Sequence, residues 1–267
     1  MTRGVLIFAF NNEHIDYLAL AAWSAKNIHR HLDLPVCVVT DQTDIPDSYE
    51  FDHVVHARAT DTHWRHFKDF GKNAIWYNGS RVDAYELTPW DHTLVLDADY
   101  VVASDQLLQL FDIDQDFLAH GKAFEVTGVY PFEVNNQFGL YNMPMAWATV
   151  MIFRRSTTAQ LIFDAMQMIR KNWNHYISLY SISKYSYRND IALSIAMNIV
   201  DGHTLTQPTI PWPLASLDAE HKLTQIDQDH YRVDYVTTDG KTRWITLTHD
   251  FHALGKLHLG EIVANSL

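Results

Sequence analysis

Two carboxylates one residue apart, Asp97 and Asp99, follow the apolar run Leu94-Val95-Leu96 and precede another at Tyr100-Val101-Val102. The first run reads as a strand buried on both faces. In an extended chain residues i and i+2 point the same way, so the two acids are expected to project side by side. Unpaired carboxylates beside a core repel each other and cost free energy to desolvate. A divalent cation relieves both penalties. Oxygen ligands suit Mg²⁺ or Mn²⁺, ions that also hold the phosphates of a substrate. The expected chemistry is therefore on a phosphate-bearing donor. An Asp-x-Asp in an exposed turn is the structural alternative, and the strand run before it argues against that.

Such a pair needs a sheet to carry it. Apolar runs predict strands over 5–10, 36–40 and 53–57, ahead of the one that ends at Asp97. Helical spacing of Ile15, Leu18, Ala22, Ala25 and Ile28 predicts a helix over 14–32, and a second helix is predicted over 73–87, closed by Thr88-Pro89. Strands alternating with helices imply a parallel sheet covered by helices. Such sheets bind ligands beyond the carboxyl ends of their strands. Asn11, Asp41 and Asp97 all fall at such ends.

The second half is less regular. Strands are predicted over 117–126 and 146–153. An amphipathic helix is predicted over 157–172, with Leu161, Phe163, Met166 and Ile169 inward. Another helix is predicted over 189–200. Pro208, Pro211 and Pro213 mark an irregular loop, and Asp239-Gly240 between runs at 230–236 and 242–248 signals a β-hairpin. No linker interrupts the chain, so one domain over 1–267 is expected.

Composition narrows the partners. The net charge of −12 argues against a broad electrostatic grip on nucleic acid. The lone Cys37, in an apolar run, reads as a buried small hydrophobe. One cysteine allows no internal disulfide framework, which points to a reducing, cytoplasmic setting. No segment nears 18 continuous apolar residues, so no membrane span is expected.

The strand Leu94-Val95-Leu96-Asp97-Ala98-Asp99, with Arg81, Tyr85, Thr88 and Pro89 upstream, resembles the GT-A glycosyltransferase superfamily, and within it the glycogenin and lipopolysaccharide galactosyltransferase group. The resemblance implies an α/β GT-A fold: a Rossmann-like, mainly parallel sheet flanked by helices. Residues 1–103 would form the nucleotide-binding half, and 104–267 an acceptor-side half with the hairpin and tail. It implies Asp97 and Asp99 as metal ligands. The tail His252-Ala253-Leu254-Gly255-Lys256 resembles the element that supplies a third ligand, His252, and a phosphate-contacting Lys256; His249 is a second candidate for the ligand. Ala9, Phe10, Asn11 and Asn12 would line the nucleotide, and Asp41 would read base or ribose. Arg81 would pair with the metal-site acids or the donor phosphates, with Lys72 a weaker candidate of that kind. Asp190, with Asn189, would stand at a helix start beyond the sugar, to position the acceptor, stabilise an oxocarbenium-like centre or act as base.

Each of these residues also has a structural reading: a turn for Asp41, a helix cap for Asn11, Asn12 or Asp190, a surface cation for Arg81 or Lys256. Trp147, Trp212 and Tyr130 are candidates to stack on a sugar or base, with burial in the core as the alternative. The run Lys184, Tyr185, Tyr187 and Arg188 is a candidate to meet a nucleic-acid strand.

The resemblance implies a Mn²⁺- or Mg²⁺-dependent glycosyltransferase. It would take a nucleoside diphosphate sugar, with UDP the commoner nucleotide, act on a glycan or small-molecule hydroxyl, and retain configuration. Phage-encoded proteins carry similar sequences, so an enzyme acting on hydroxymethylated DNA bases is a second reading. A nucleotidyltransferase shares such a sheet but normally carries a Gly-rich loop after strand one, where this chain has Asn11-Asn12-Glu13. A non-catalytic sugar-nucleotide binder would lack the acids, and both are present.

Overall fold

The computed structural model describes residues 1–59, 62–77, 79–129, 137–183, 186–204 and 207–267. Tyr130, Lys184 and Tyr185 lie outside them. The elements run β1 (Arg3–Phe8), α1 (Tyr17–Leu32), β2 (Val36–Thr40), β3 (His53–His56), β4 (Thr62–Phe67), β5 (Lys72–Tyr77), a 3-10 turn (Gly79–Asp83), α2 (Ala84–Leu87), β6 (His92–Asp97) and β7 (Tyr100–Val101). After a second 3-10 stretch (Gln106–Asp112) come β8 (Phe117–His120), β9 (Ala123–Glu125), β10 (Gln137–Phe138), β11 (Met143–Pro144), β12 (Trp147–Arg154), α3 (Thr157–Lys171), α4 (Trp173–Leu179) and α5 (Asn189–Val200). The chain ends with β13 (Leu214–Leu217), β14 (Lys222–Gln225), β15 (Tyr231–Val236), β16 (Thr242–Leu247), β17 (Phe251–Ala253) and α6 (Lys256–Ala264).

The central sheet has the order β3-β2-β1-β6-β12-β8. Its first four strands are parallel, and β12 runs antiparallel to both neighbours. This is the mainly parallel α/β sheet the sequence implies. Its strands are apolar throughout because both faces are covered. Val5 and Ile7 of β1, with Leu94 and Leu96 of β6, enter the core under α1. Leu6, Phe8 and Val95 point the other way, into the core under α3 and α5. Each such side chain, fully buried, contributes about 1.5–3 kcal/mol. Cys37 lies in the second core, where burial pushes its thiol up to about 12, so it is an inert apolar side chain at neutral pH.

A second sheet, β7-β17-β13-β9, packs beside the first. It brings the tail back to the acids: His252 of β17 pairs with Tyr100 of β7, directly after Asp99. A third sheet, β14-β15-β16, contains the expected hairpin, with Gly240 at φ +79 in its turn. Among the described residues no helix is long and apolar enough to cross a membrane.

Three expectations are corrected. Residues 73–87 are not one helix. Residues 72–77 are strand β5, paired with β4 in an antiparallel hairpin, and helix begins only at the short turn before α2. Gly71, at φ +60, makes that hairpin turn, and Phe67 and Ala74 supply its buried face. Residues 117–126 are not one strand. β8 joins the central sheet and β9 the second, and the chain breaks at Gly121, where a Cβ would sit 2.7 Å from the Thr209 methyl. In α3, Phe163, Met166 and Ile169 are buried as expected, but Leu161 is 50% exposed.

His120 ends β8 and shares a 2.9 Å hydrogen bond with the Trp212 carbonyl, Nδ1 donating. Burial pushes its pKa down to about 4, against the partial opposition of that hydrogen bond. The folded value lies below the ordinary 6.5, so the unfolded chain takes up the proton first. The stability this ring allows is complete above pH 6.5 and is lost as pH falls toward 4. His120→Gln keeps a donor for the carbonyl and removes the titration. Relative to that variant, the wild type should lose about 2 kcal/mol between pH 7 and 4.5 in urea unfolding. A gap that stays constant with pH would contradict the neutral ring.

Candidate active site

The acids sit where the central sheet meets the second one. Asp97 is the last residue of β6, beside Phe8 of β1, and Ala98 and Asp99 turn the chain into β7. That turn replaces the extended chain expected there, yet both carboxylates still face one point. They do so because β17 lies against β7 and presents His252 to both. His252 Nε2 is 3.3 Å from Asp99 Oδ1 and 3.8 Å from Asp97 Oδ2. One ligand atom from each of the three residues lies within 4.8 Å of the others. The Thr149 hydroxyl stands 3.5 Å from Nδ1, which holds the ring with Nε2 turned to the acids. His249 is exposed and outside this group, so between the two tail histidines the geometry favours His252.

The remaining oxygen of each acid carries a cation. Asp97 Oδ1 pairs with Arg81, whose Nη1 also donates to the Ala148 carbonyl at 3.0 Å. Asp99 Oδ2 pairs with Lys256, which also donates to the Ala253 and Leu254 carbonyls, both at 3.0 Å. Burial pushes the Asp99 carboxyl up, but Lys256 and His252 more than reverse this and hold it well below the usual carboxylate range. Asp99 is therefore ionised, and each acid has one oxygen committed to a cation and one facing His252. Arg81 is no surface cation: it rises from the 3-10 turn at Gly79–Asp83 into the cavity wall with only 14% of its side chain exposed.

Asp190 lies in the first turn of α5 but does not cap it. Its Oδ1 accepts from the Ala148 amide at 2.9 Å, and its Oδ2 accepts from Arg188 Nη2 at 2.9 Å. The Ala148 amide is available because β12 is bulged between Trp147 and Met151, so it has no partner in β8. A single peptide residue thus links the two halves of the site: Ala148 donates to Asp190 and accepts from the arginine that holds Asp97. Burial pushes Asp190 up, while Arg188 and the Ala148 amide outweigh it, so the group is a carboxylate at neutral pH.

A cavity of about 310 Å³ opens over these groups. It gathers Phe10, Arg81, Asp97, Asp99, Asn189, Asp190, His252 and Lys256, with Trp147 and Arg188, from the sequence candidates. It does not gather the others. Ala9 is buried and donates its amide to Val39. Asn11 and Asn12 tie down the loop into α1: their side-chain oxygens accept from Leu18, and from His14 and Ile15, respectively. Asp41 is exposed and accepts from the Gln42 side chain. Lys72 is exposed at the start of β5. Trp212 packs against the first core. Tyr187 is buried and packs edge-on against Trp173, and the half-exposed Arg188 is paired with Asp190.

The sequence reading missed one wall. Tyr17, Trp64, Arg65, Trp76 and Tyr77 also line the cavity, four of them from the β4–β5 hairpin. The aromatic residues spread over 62–77, broken by Asp69-Phe70-Gly71, were the signal for it.

The chain matches no protein-family model and no curated protein. Solved structures similar to it include glycosyltransferases. The glycosyltransferase GlyE of Streptococcus pneumoniae TIGR4 is 14% identical over 79% of this chain and 45% of its own, with a TM-score of 0.45. The galactosyltransferase LgtC, in complex with donor and acceptor sugar analogues, is 14% identical over 73% of this chain and 70% of its own, with a TM-score of 0.46. The bifunctional WbbM apo structure is 12% identical over 80% and 47%, with a TM-score of 0.38. The matched part of this chain spans less than half the length of GlyE.

Proposed function

We propose that the chain is a metal-dependent glycosyltransferase that moves a sugar from a nucleoside diphosphate sugar, with UDP the first nucleotide to test, to an acceptor hydroxyl. The observation that carries this is the convergence of Asp97 Oδ2, Asp99 Oδ1 and His252 Nε2 at the carboxyl rim of a parallel sheet. Two carboxylate oxygens and one imidazole nitrogen are a donor set that fits Mn²⁺ or Mg²⁺, with Mn²⁺ the better match to nitrogen. Asp97, Asp99 and His252 would hold the ion. When bound, it would neutralise charge gathering on the departing diphosphate.

The chain's own residues do the rest. Arg81 and Lys256 fix the two carboxylates, so little reorganisation is needed when the donor arrives. Asp190, ionised and anchored to the Ala148 amide, would face the sugar from the opposite wall, where a fixed negative charge favours an oxocarbenium-like centre and orients the attacking hydroxyl. Phe10 and Trp147 supply apolar walls that restrict water. On this reading the β1–β6 half holds the donor together with His252 and Lys256 of the tail, and β12 and α5 form the acceptor side.

The test is a donor panel of UDP- and GDP-sugars with Mn²⁺ or Mg²⁺, read as nucleoside diphosphate release. Simple glycans and hydroxymethylated DNA serve as the acceptor arms. Release that requires the metal supports the proposal. Pyrophosphate release from a nucleoside triphosphate and a sugar phosphate, with no release from any nucleotide sugar, would overturn it in favour of nucleotidyl transfer.

A further inference from the structure

The cavity wall presents four cations, Arg65, Arg81, Arg188 and Lys256. Three are committed. Arg81 serves Asp97 and the Ala148 carbonyl, Arg188 serves Asp190, and Lys256 serves Asp99 and two carbonyls. The ammonium of Lys256 has three donors, and all three have acceptors within the protein. It can act on a phosphate only as a nearby charge. Arg65 has no hydrogen-bond or ion-pair partner among the described residues. Its guanidinium carbon lies 4.8 Å from the Trp76 ring centre and 5.5 Å from that of Phe67. Stacking on rings holds a guanidinium by its faces and leaves its N–H edge free, which is the edge that binds phosphate oxygens two at a time.

The hairpin that carries Arg65 is fastened at both ends of the site. Asp69, in its turn, accepts from the amides of Lys256 at 2.5 Å and Leu257 at 2.9 Å, at the start of α6. Asn12, just past β1, donates to the Ile75 carbonyl at 3.0 Å. Lys256, whose amide Asp69 binds, holds Asp99 through its ammonium, so the hairpin that carries Arg65 is tied to the Asp99 side of the cavity.

We propose that Arg65, stacked on Trp76 and Phe67 of the β4–β5 hairpin, is the residue that binds the donor's diphosphate, a task the resemblance implies for Lys256, with Arg81 and Lys72 as further candidates. The inference rests on the function proposed above and adds to it a recognition element outside the Asp-x-Asp and tail motifs. Lys256 then becomes the residue that holds Asp99 in place.

The test is calorimetric binding of UDP and GDP in Mn²⁺ to the wild type, Arg65→Met and Arg65→Lys. Methionine keeps a flexible apolar chain over the rings and removes charge and donors. Diphosphate affinity should fall about 10- to 100-fold in Arg65→Met and by less in Arg65→Lys. The salt dependence of binding should become shallower, because one charged contact is gone. The thermal midpoint should move little. Equal affinity in wild type and Arg65→Met would overturn the inference and leave the proposed function standing. A loss of affinity with an unchanged salt slope would overturn it too, since Arg65 would then act only through packing. A wild type that binds neither nucleotide would overturn the proposed function itself.

Discussion

Asp99→Asn should cut metal-dependent nucleoside diphosphate release by on the order of 10³-fold or more, because one of the three atoms proposed to hold the ion loses its charge. The fold should suffer as well. Asp99 and Lys256 are 9% and 5% exposed, so removing one charge strands the other, which costs about 3–5 kcal/mol. Activity loss in this variant alone is therefore ambiguous. Adding Lys256→Met resolves it. An apolar chain of similar length removes the stranded charge, so the double variant should regain most of the lost stability in urea unfolding while remaining inactive. Recovery of turnover together with stability would show that Asp99 matters to the fold and not to the reaction.

Asp190→Asn should lower kcat by about 10²- to 10³-fold with little change in donor affinity. Asparagine can still accept from the Ala148 amide, so the bulge in β12 and the link to Arg81 should survive, and stability should fall by only about 1 kcal/mol. The comparison with Asp190→Ala is informative: alanine strands the Ala148 amide and Arg188, and should lose stability as well as rate. If Asp190→Asn instead weakened UDP binding as strongly as it slowed turnover, Asp190 would belong to the donor side and its proposed place would be wrong.

The parts legible in the sequence are those fixed by short-range pattern. Val5 to Phe8, Val36 to Val39 and Leu94 to Leu96 are apolar without alternation because each residue enters one of two cores, and that alone announces a covered parallel sheet. Asp97 and Asp99 were legible because charge at the end of such a run is costly unless used. The parts that were not legible depend on distant neighbours. The predicted strand breaks at Gly121, a position packed against the distant Thr209. Lys256 looks free to meet phosphate until the β7–β17 pairing sets it on Asp99. Arg81 looks like a surface cation until Ala148 and Asp97 close around it. The β4–β5 hairpin escaped because its strands are half-exposed and mix aromatic with polar residues, which blurs both the two-residue and the 3.6-residue period.

The central claim is that Asp97, Asp99 and His252 hold one divalent ion that a nucleoside diphosphate shares. Its most direct measurement is a Mn²⁺ titration followed by electron paramagnetic resonance, with and without UDP, on the wild type and on His252→Ala. That substitution removes a ligand without stranding a buried charge. One ion per chain, bound more tightly with UDP and at least about tenfold more weakly in His252→Ala, is the predicted result. Equal Mn²⁺ affinity in the two proteins, or no UDP-dependent ion in the wild type, would contradict it.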